Sequence, residues 1–280
     1  MREVRTIDPF SYYGLRAGER LNAALWDFPM REPASVTSVL AGEIDARVDV
    51  VDLLRAVDLT EAADYEAARL VARYGDLDGA LYSLARAYHE REQTFNGIRI
   101  GRELLRREGG WNRALLELVY PFPYRDDVIR YARANNLDPY LVAGLIRQES
   151  MFNTRARSPA GALGLMQVMP QTGTGVARTL GIQGFTTARL TEPSINLRIG
   201  TRFLADQIRR HDGRMVDAIA AYNAGPQPVS RWKQFPEYAD PEIFTERIPY
   251  QETRDYVKIV QQNARIYREL YGPQQGATGR

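Results

Sequence analysis

Cysteine is absent from the 280 residues, and histidine occurs only as His89 and His211. The first absence removes disulfide frameworks, thiolate nucleophiles and any zinc or iron–sulfur site built on sulfur. Two histidines 122 positions apart do not make a histidine-rich metal centre. Lysine is almost missing too: only Lys233 and Lys258 are lysines, so arginine carries the positive charge. Neither sign of charge is in excess. The 37 basic and 35 acidic residues leave a net +2, which argues against a dedicated nucleic-acid binder. No run approaches the roughly 18 apolar residues of a membrane span, and Met1 is followed by Arg-Glu-Val-Arg rather than an apolar leader. The expectation is a soluble chain as given, compatible with a mature or truncated form of an exported protein. No metal, nucleotide or phosphate-loop motif is present, so no metal and no cofactor are expected.

What remains is ordinary for a globular protein: 44% hydrophobic and 26% charged residues, over a length that suits two units. Periodicity is helical and strand signals are scarce, which predicts an all-α chain. Helices are expected at 11–26, 46–57, 60–74, 77–91 and 97–107, with stops at Gly75-Asp76 and Gly109-Gly110. Their succession suggests a short α-solenoid without a clean repeat. Tyr120-Pro121-Phe122-Pro123-Tyr124 interrupts it, because two prolines in three residues cannot continue a helix. A domain boundary is placed there, giving a helical lead-in over 1–118, a second domain over 119–272 and a frayed tail over 273–280. Helices follow near 126–135, 138–151, 170–180, 194–211, 214–224 and 253–271.

The helix opening at Asp138-Pro139 has an N-cap and an N1 proline in the preferred order. At about 100° per residue, Leu141, Val142, Leu145 and Ile146 form an apolar stripe, and Glu149 falls within about 10° of its centre. Arg147 points away, as a surface residue would. A carboxylate on an apolar face is costly unless it is paired, neutral or functional, and desolvation raises its pKa toward that of a general acid. Alternatively, the helix ends at Glu149 and the side chain escapes to water. From Ser150 to Thr191 there are then 42 residues without Asp or Glu, although Arg155, Arg157, Arg178 and Arg189 lie among them. That imbalance predicts a mildly cationic groove. A conventional glycosidase needs two carboxylates. Here the second comes from afar (Glu192, Glu246 or Asp255), or the chemistry does not need it.

Gln148-Glu149-Ser150, Phe152-Asn153, Ala156, Ser158, Gly161-Ala162, Gly164-Leu165-Met166-Gln167 and Met169-Pro170 together resemble the signature of the soluble lytic transglycosylases of the bacterial cell wall. Ala221-Tyr222-Asn223-Ala224-Gly225-Pro226 resembles the family's second motif. Glu246-Arg247-Ile248-Pro249-Tyr250 with Glu252-Thr253-Arg254-Asp255-Tyr256-Val257 resembles its third. The early stretch Pro9-Phe10-Ser11-Tyr12-Tyr13-Gly14-Leu15 is similar to the end of the helical superhelix that precedes the catalytic domain in long members.

The resemblance implies a lysozyme-like α catalytic domain behind a short α-superhelical segment. It implies non-hydrolytic cleavage of the β-1,4 bond between N-acetylmuramic acid and N-acetylglucosamine, with 1,6-anhydromuramic ends as product. Glu149 matches the catalytic acid and base. Ser150, Gly164, Met166, Gln167, Tyr222, Asn223, Glu246 and Tyr256 match groove positions: Gly164 for close backbone approach, Gln167 for an amide contact to sugar, Met166 for an adaptable apolar contact. The implied partner is the peptidoglycan glycan strand with its stem peptides, with cell-wall synthesis or division proteins as further candidates. The implied setting is a monomer in the cell envelope, in the periplasm. A true muramidase and a non-catalytic glycan-binding module are the competing readings.

Overall fold

In the computed structural model, residues 1–23 and 33–273 are described, and they contain fifteen α-helices, two short 3-10 turns and no strands beyond isolated bridges in one loop. The first long helix, expected to reach Trp26, ends at Arg20, and residues 24–26 of that expectation and the tail over 274–280 lie outside the described residues. No described helix is long and apolar enough to cross a membrane. The chain divides into two compact units, Met1–Asp27 with Tyr124–Arg280, and Phe28–Pro123. The chain passes between them after Pro123, within the proline-rich break. A boundary that keeps all of 1–118 together is corrected at its start, because α1 (Arg2–Ile7) and α2 (Tyr12–Arg20) pack with the C-terminal unit.

The Phe28–Pro123 unit comprises α3 (Ser38–Ala56), α4 (Thr60–Tyr74), α5 (Asp78–Glu90), α6 (Thr94–Glu108) and α7 (Arg113–Val119). Helix α5 is its axis, packing on α3, α4, α6 and α7. Close approach to α6 depends on Gly97, where a Cβ would sit 2.3 Å from the His89 ring. His89 Nε2 donates to the Leu118 carbonyl at 3.0 Å, and burial pulls its pKa down to about 4, so this histidine is a neutral packing element. Helix α6 ends at Gly109 with φ 62°, a left-handed C-cap. Asn112 then caps α7 by accepting from the Leu115 amide at 2.7 Å.

The other unit adds α8 (Arg125–Ala134), α9 (Pro139–Ser150), α10 (Pro170–Thr179), α11 (Pro193–Arg210), α12 (Met215–Ala224), α13 (Pro226–Trp232), α14 (Pro241–Arg247) and α15 (Gln251–Tyr271). Its centre is α9 against α15. The two helices touch at Gly144, where a Cβ would lie 2.6 Å from the Ala264 nitrogen, and Asn263 Nδ2 donates to the Gly144 carbonyl at 3.2 Å. Asp138 caps α9 by accepting from the Tyr140 amide at 3.0 Å, as the Asp-Pro pair predicts. Almost every side of α9 is covered. Arg147, expected at the surface, is only 6% exposed, because α9 is a central helix rather than an amphipathic one with a wet face. Gly225 ends α12 with φ 82°, as expected, but Pro226 starts α13 instead of a loop.

The N-terminal segment is held on α15. Arg16 Nη2 donates to Gln261 at 2.9 Å, and Tyr13 and Lys258 both bond Glu246, at 2.9 and 2.7 Å. Asp217, fully buried near the start of α12, gathers Arg214, Lys233 and the Tyr238 hydroxyl, the last at 2.5 Å.

Candidate active site

Helix α9 delivers Glu149 in its last turn and then stops abruptly. Met151 and Phe152 both adopt positive φ, 49° and 62°, two consecutive non-glycine residues in a region such residues seldom occupy. Phe152 is 1% exposed and meets Tyr267 of α15 edge-on at 6.2 Å, so buried packing offsets the backbone cost. The turn keeps Glu149 against the core instead of releasing it to water.

The Glu149 carboxyl is half-buried, and the Tyr256 hydroxyl donates to its Oε1 at 2.5 Å. Desolvation pushes its pKa from 4.5 up to about 7, the Tyr256 bond works against that rise, and like charge from Glu252 adds to it. Tyr256 is itself 5% exposed and holds its proton well above the ordinary tyrosine range through burial and the neighbouring carboxylate. Glu252 stands one turn before Tyr256 on α15. It is an acid closer in effect than Glu192, Glu246 or Asp255, and the i, i+4 spacing to Tyr256 was the available sequence signal.

The loop 156–168 closes one side. Arg157 and Val168 each pair with Leu163 in isolated antiparallel bridges. Ser150, expected to bond in the groove, instead donates to the Leu165 carbonyl at 2.8 Å and is 9% exposed. Tyr222, at the end of α12, donates to the Met166 carbonyl at 2.7 Å and packs on Phe203. The charge of Glu149 is felt at Tyr222, whose pKa is raised first by burial and then by that carboxylate. Asn223 accepts from the Thr253 hydroxyl at 2.6 Å, joining the second motif to the third.

Several expectations are corrected by burial. Met166 has 0% exposure and rests on Gly200 of α11, so its side chain is core and only its backbone borders the site. Gly164, φ 76°, does permit a close approach, but to the Leu190 carbonyl and the Asn196 amide: a Cβ would lie 2.2 and 2.3 Å from them. Gln167 Nε2 bonds the Ala156 and Gly164 carbonyls at 3.1 and 2.9 Å, bracing its own loop. Glu246 is exposed and tied to Tyr13 and Lys258, and it lines a cleft of about 430 Å³ with Tyr12, Arg16 and Ile243 rather than the Glu149 site. Of the arginines expected to make a cationic groove, Arg189 is paired with Glu192 at 3.0 Å.

One carboxyl that titrates near neutrality, held by a buried tyrosine beside a braced loop, is suited to giving and taking a proton in turn. The model of the family described as Transglycosylase SLT domain matches residues 126–243. Residues 126–243 thus match a transglycosylase SLT domain. The soluble lytic murein transglycosylase of Salmonella typhimurium is 37% identical over 159 residues, 56% of this chain and 25% of that protein. The protein of the same description from Escherichia coli K12 is 36% identical over the same length. Among solved structures, an inactive mutant of the lytic transglycosylase Slt from Pseudomonas aeruginosa superposes with a TM-score of 0.74 at 30% identity, covering 95% of this chain and 42% of its own. The 70 kDa soluble lytic transglycosylase of Escherichia coli gives 0.76 at 29% identity, covering 92% and 40%. The chain thus has the all-α architecture of these lytic transglycosylases, and it aligns with about a quarter of the length of its curated relatives.

Among the described residues no group of three or more His, Asp or Glu is placed to hold a metal ion.

Proposed function

We propose that this SLT chain is a peptidoglycan lytic transglycosylase that cuts the β-1,4 bond from N-acetylmuramic acid to N-acetylglucosamine without water. The carrying observation is Glu149, whose pKa stands at about 7 through burial while Tyr256 holds one of its oxygens. Near neutrality such a carboxyl is populated in both protonation states. In the acid form it protonates the glycosidic oxygen as the bond to the anomeric carbon breaks. In the carboxylate form it accepts the proton of the muramyl C6 hydroxyl, whose oxygen closes on the anomeric carbon to give the 1,6-anhydro ring. One residue thus completes both transfers and is regenerated. Tyr256 leaves the second carboxylate oxygen to the substrate, Tyr222 and Asn223 frame the same end of α12, and Ser150, Gly164 and Gln167 brace the loop. The setting we assign is the cell envelope, in the periplasm, with the monomer acting on glycan strands and their stem peptides. The unit that holds α8 to α15, with α1 and α2, is assigned the catalytic role, and α3 to α7 that of a superhelical lead-in.

Glu252 favours one competing reading, a muramidase in which a second carboxylate activates water. Mass spectrometry of digested muropeptides separates the two. Anhydro products are expected, and products heavier by one water would establish hydrolysis. Glu149→Gln is expected to abolish both, and undiminished digestion by that variant would remove Glu149 from the chemistry.

A further inference from the structure

We propose that Asn196 is a positioning residue that fixes the Met166 backbone, on whose carbonyl Tyr222 is hung beside Glu149. The inference rests on the function proposed above. Asn196 lies in the first turn of α11 and is fully buried. Its Oδ1 accepts from the Met166 amide at 2.8 Å, and its Nδ2 donates to the carbonyls of Leu163 at 2.9 Å and Leu190 at 2.7 Å. A buried amide with three such bonds has little freedom to turn, since any rotation leaves polar groups unpaired in the core.

The reach of this residue is set by what its partners do next. The Met166 backbone is gripped on both sides of its Cα: its N–H, in the Leu165–Met166 peptide, by Asn196, and its carbonyl, in the next peptide, by the Tyr222 hydroxyl at 2.7 Å. The preceding carbonyl, that of Leu165, receives the Ser150 hydroxyl at 2.8 Å. Two neighbours of Glu149, one following it in sequence and one electrostatically coupled to it, therefore donate to consecutive carbonyls. The register of those carbonyls is fixed from behind by one side chain. Gly164 completes the joint, because only a residue without Cβ lets the loop come within reach of the Asn196 amide. Asn196 touches no reacting atom; it acts through Met166 on Tyr222.

The test is a double-mutant cycle on the full chain, read in kcat and KM for muropeptide release. Asn196→Asp keeps the shape and the acceptor for the Met166 amide but gives up donor capacity. It is expected to lower kcat by about thirtyfold with KM changed by less than about twofold, and Tyr222→Phe to lower kcat by about tenfold. Because both act through the backbone of one residue, Met166, the double variant is expected to stay near a thirtyfold loss and not approach about three-hundredfold. Wild-type kcat in a folded Asn196→Asp, or losses that multiply, would overturn the proposal. With Glu149→Gln inactive, either result refutes the role of Asn196 alone, whereas an active Glu149→Gln refutes the function on which it rests. The wild-type chain supplies a check that needs no variant. The Met166 amide is expected to exchange with solvent at least about a hundredfold more slowly than that of Ala160, at the exposed part of the same loop. Equal rates would overturn the proposal.

Discussion

Glu149 sets activity against stability, and the exchange is measurable. In the unfolded chain a glutamate loses its proton near 4.5, whereas in the folded chain burial holds it until about 7. Below the first value both states are protonated, and the neutral buried carboxyl costs nothing extra. Between the two values the unfolded state has released its proton while the folded state still binds one, so stability falls as pH rises. At roughly 1.4 kcal/mol per pH unit, the loss across that window comes to about 3 kcal/mol. Glu149→Gln keeps the shape, still accepts from the Tyr256 hydroxyl and does not titrate. The variant is therefore expected to gain about 3 kcal/mol on the wild type between about pH 4 and about pH 8 while losing its activity. Urea unfolding followed by circular dichroism at both pH values measures this, provided the denaturant dependence is the same for both chains. A difference between variant and wild type that stays constant with pH would refute the reasoning.

Two further outcomes follow from the same helices. Tyr256→Phe removes a bond that favours the carboxylate. A hydrogen bond to a charged group is worth about 1.5–3 kcal/mol, so the Glu149 pKa and the alkaline limb of kcat/KM are expected to move up by about 1–2 pH units; a limb that stays or moves down would contradict the assignment. Gly144→Ala forces a methyl to within 2.6 Å of the Ala264 nitrogen and is expected to cost about 2 kcal/mol or more by prising α9 from α15. Thermal unfolding reads that loss, and an unchanged Tm would show that the two helices are not in tight register.

What was legible in the sequence, and what was not, divides along a physical line. The α9 start was readable because Asp138-Pro139 is a local capping signal, and Glu149 because a carboxylate on an apolar stripe stands out in any periodicity. Arg147 misled because a wheel with one apolar stripe assumes a wet opposite face, and α9 has none. Gly164, Met166 and Gln167 carry the chemistry of a sugar contact, yet an amide that bonds sugar and one that bonds its own loop look alike until burial is known. Helix α13 was missed because Gly225-Pro226 ends one helix and begins the next. Asn196 gave no local signal, because it matters through a partner 30 positions away, and Glu252 signalled itself only by its i, i+4 spacing to Tyr256.

The attachment of α2 to α15 also orders events in time. Arg16 finds Gln261 at a separation of 245 positions, with Tyr13 and Lys258 likewise paired, so the earlier segment waits for the later helix. The contacts that close this unit are non-local, and loop-closure entropy must be met before they form. A chain emerging in order can complete the Phe28–Pro123 helices while the opening residues are still unpartnered. Until α15 follows, the exposed Tyr13, Val4 and Ile7 make this early segment a place where a holding chaperone would have apolar surface to cover.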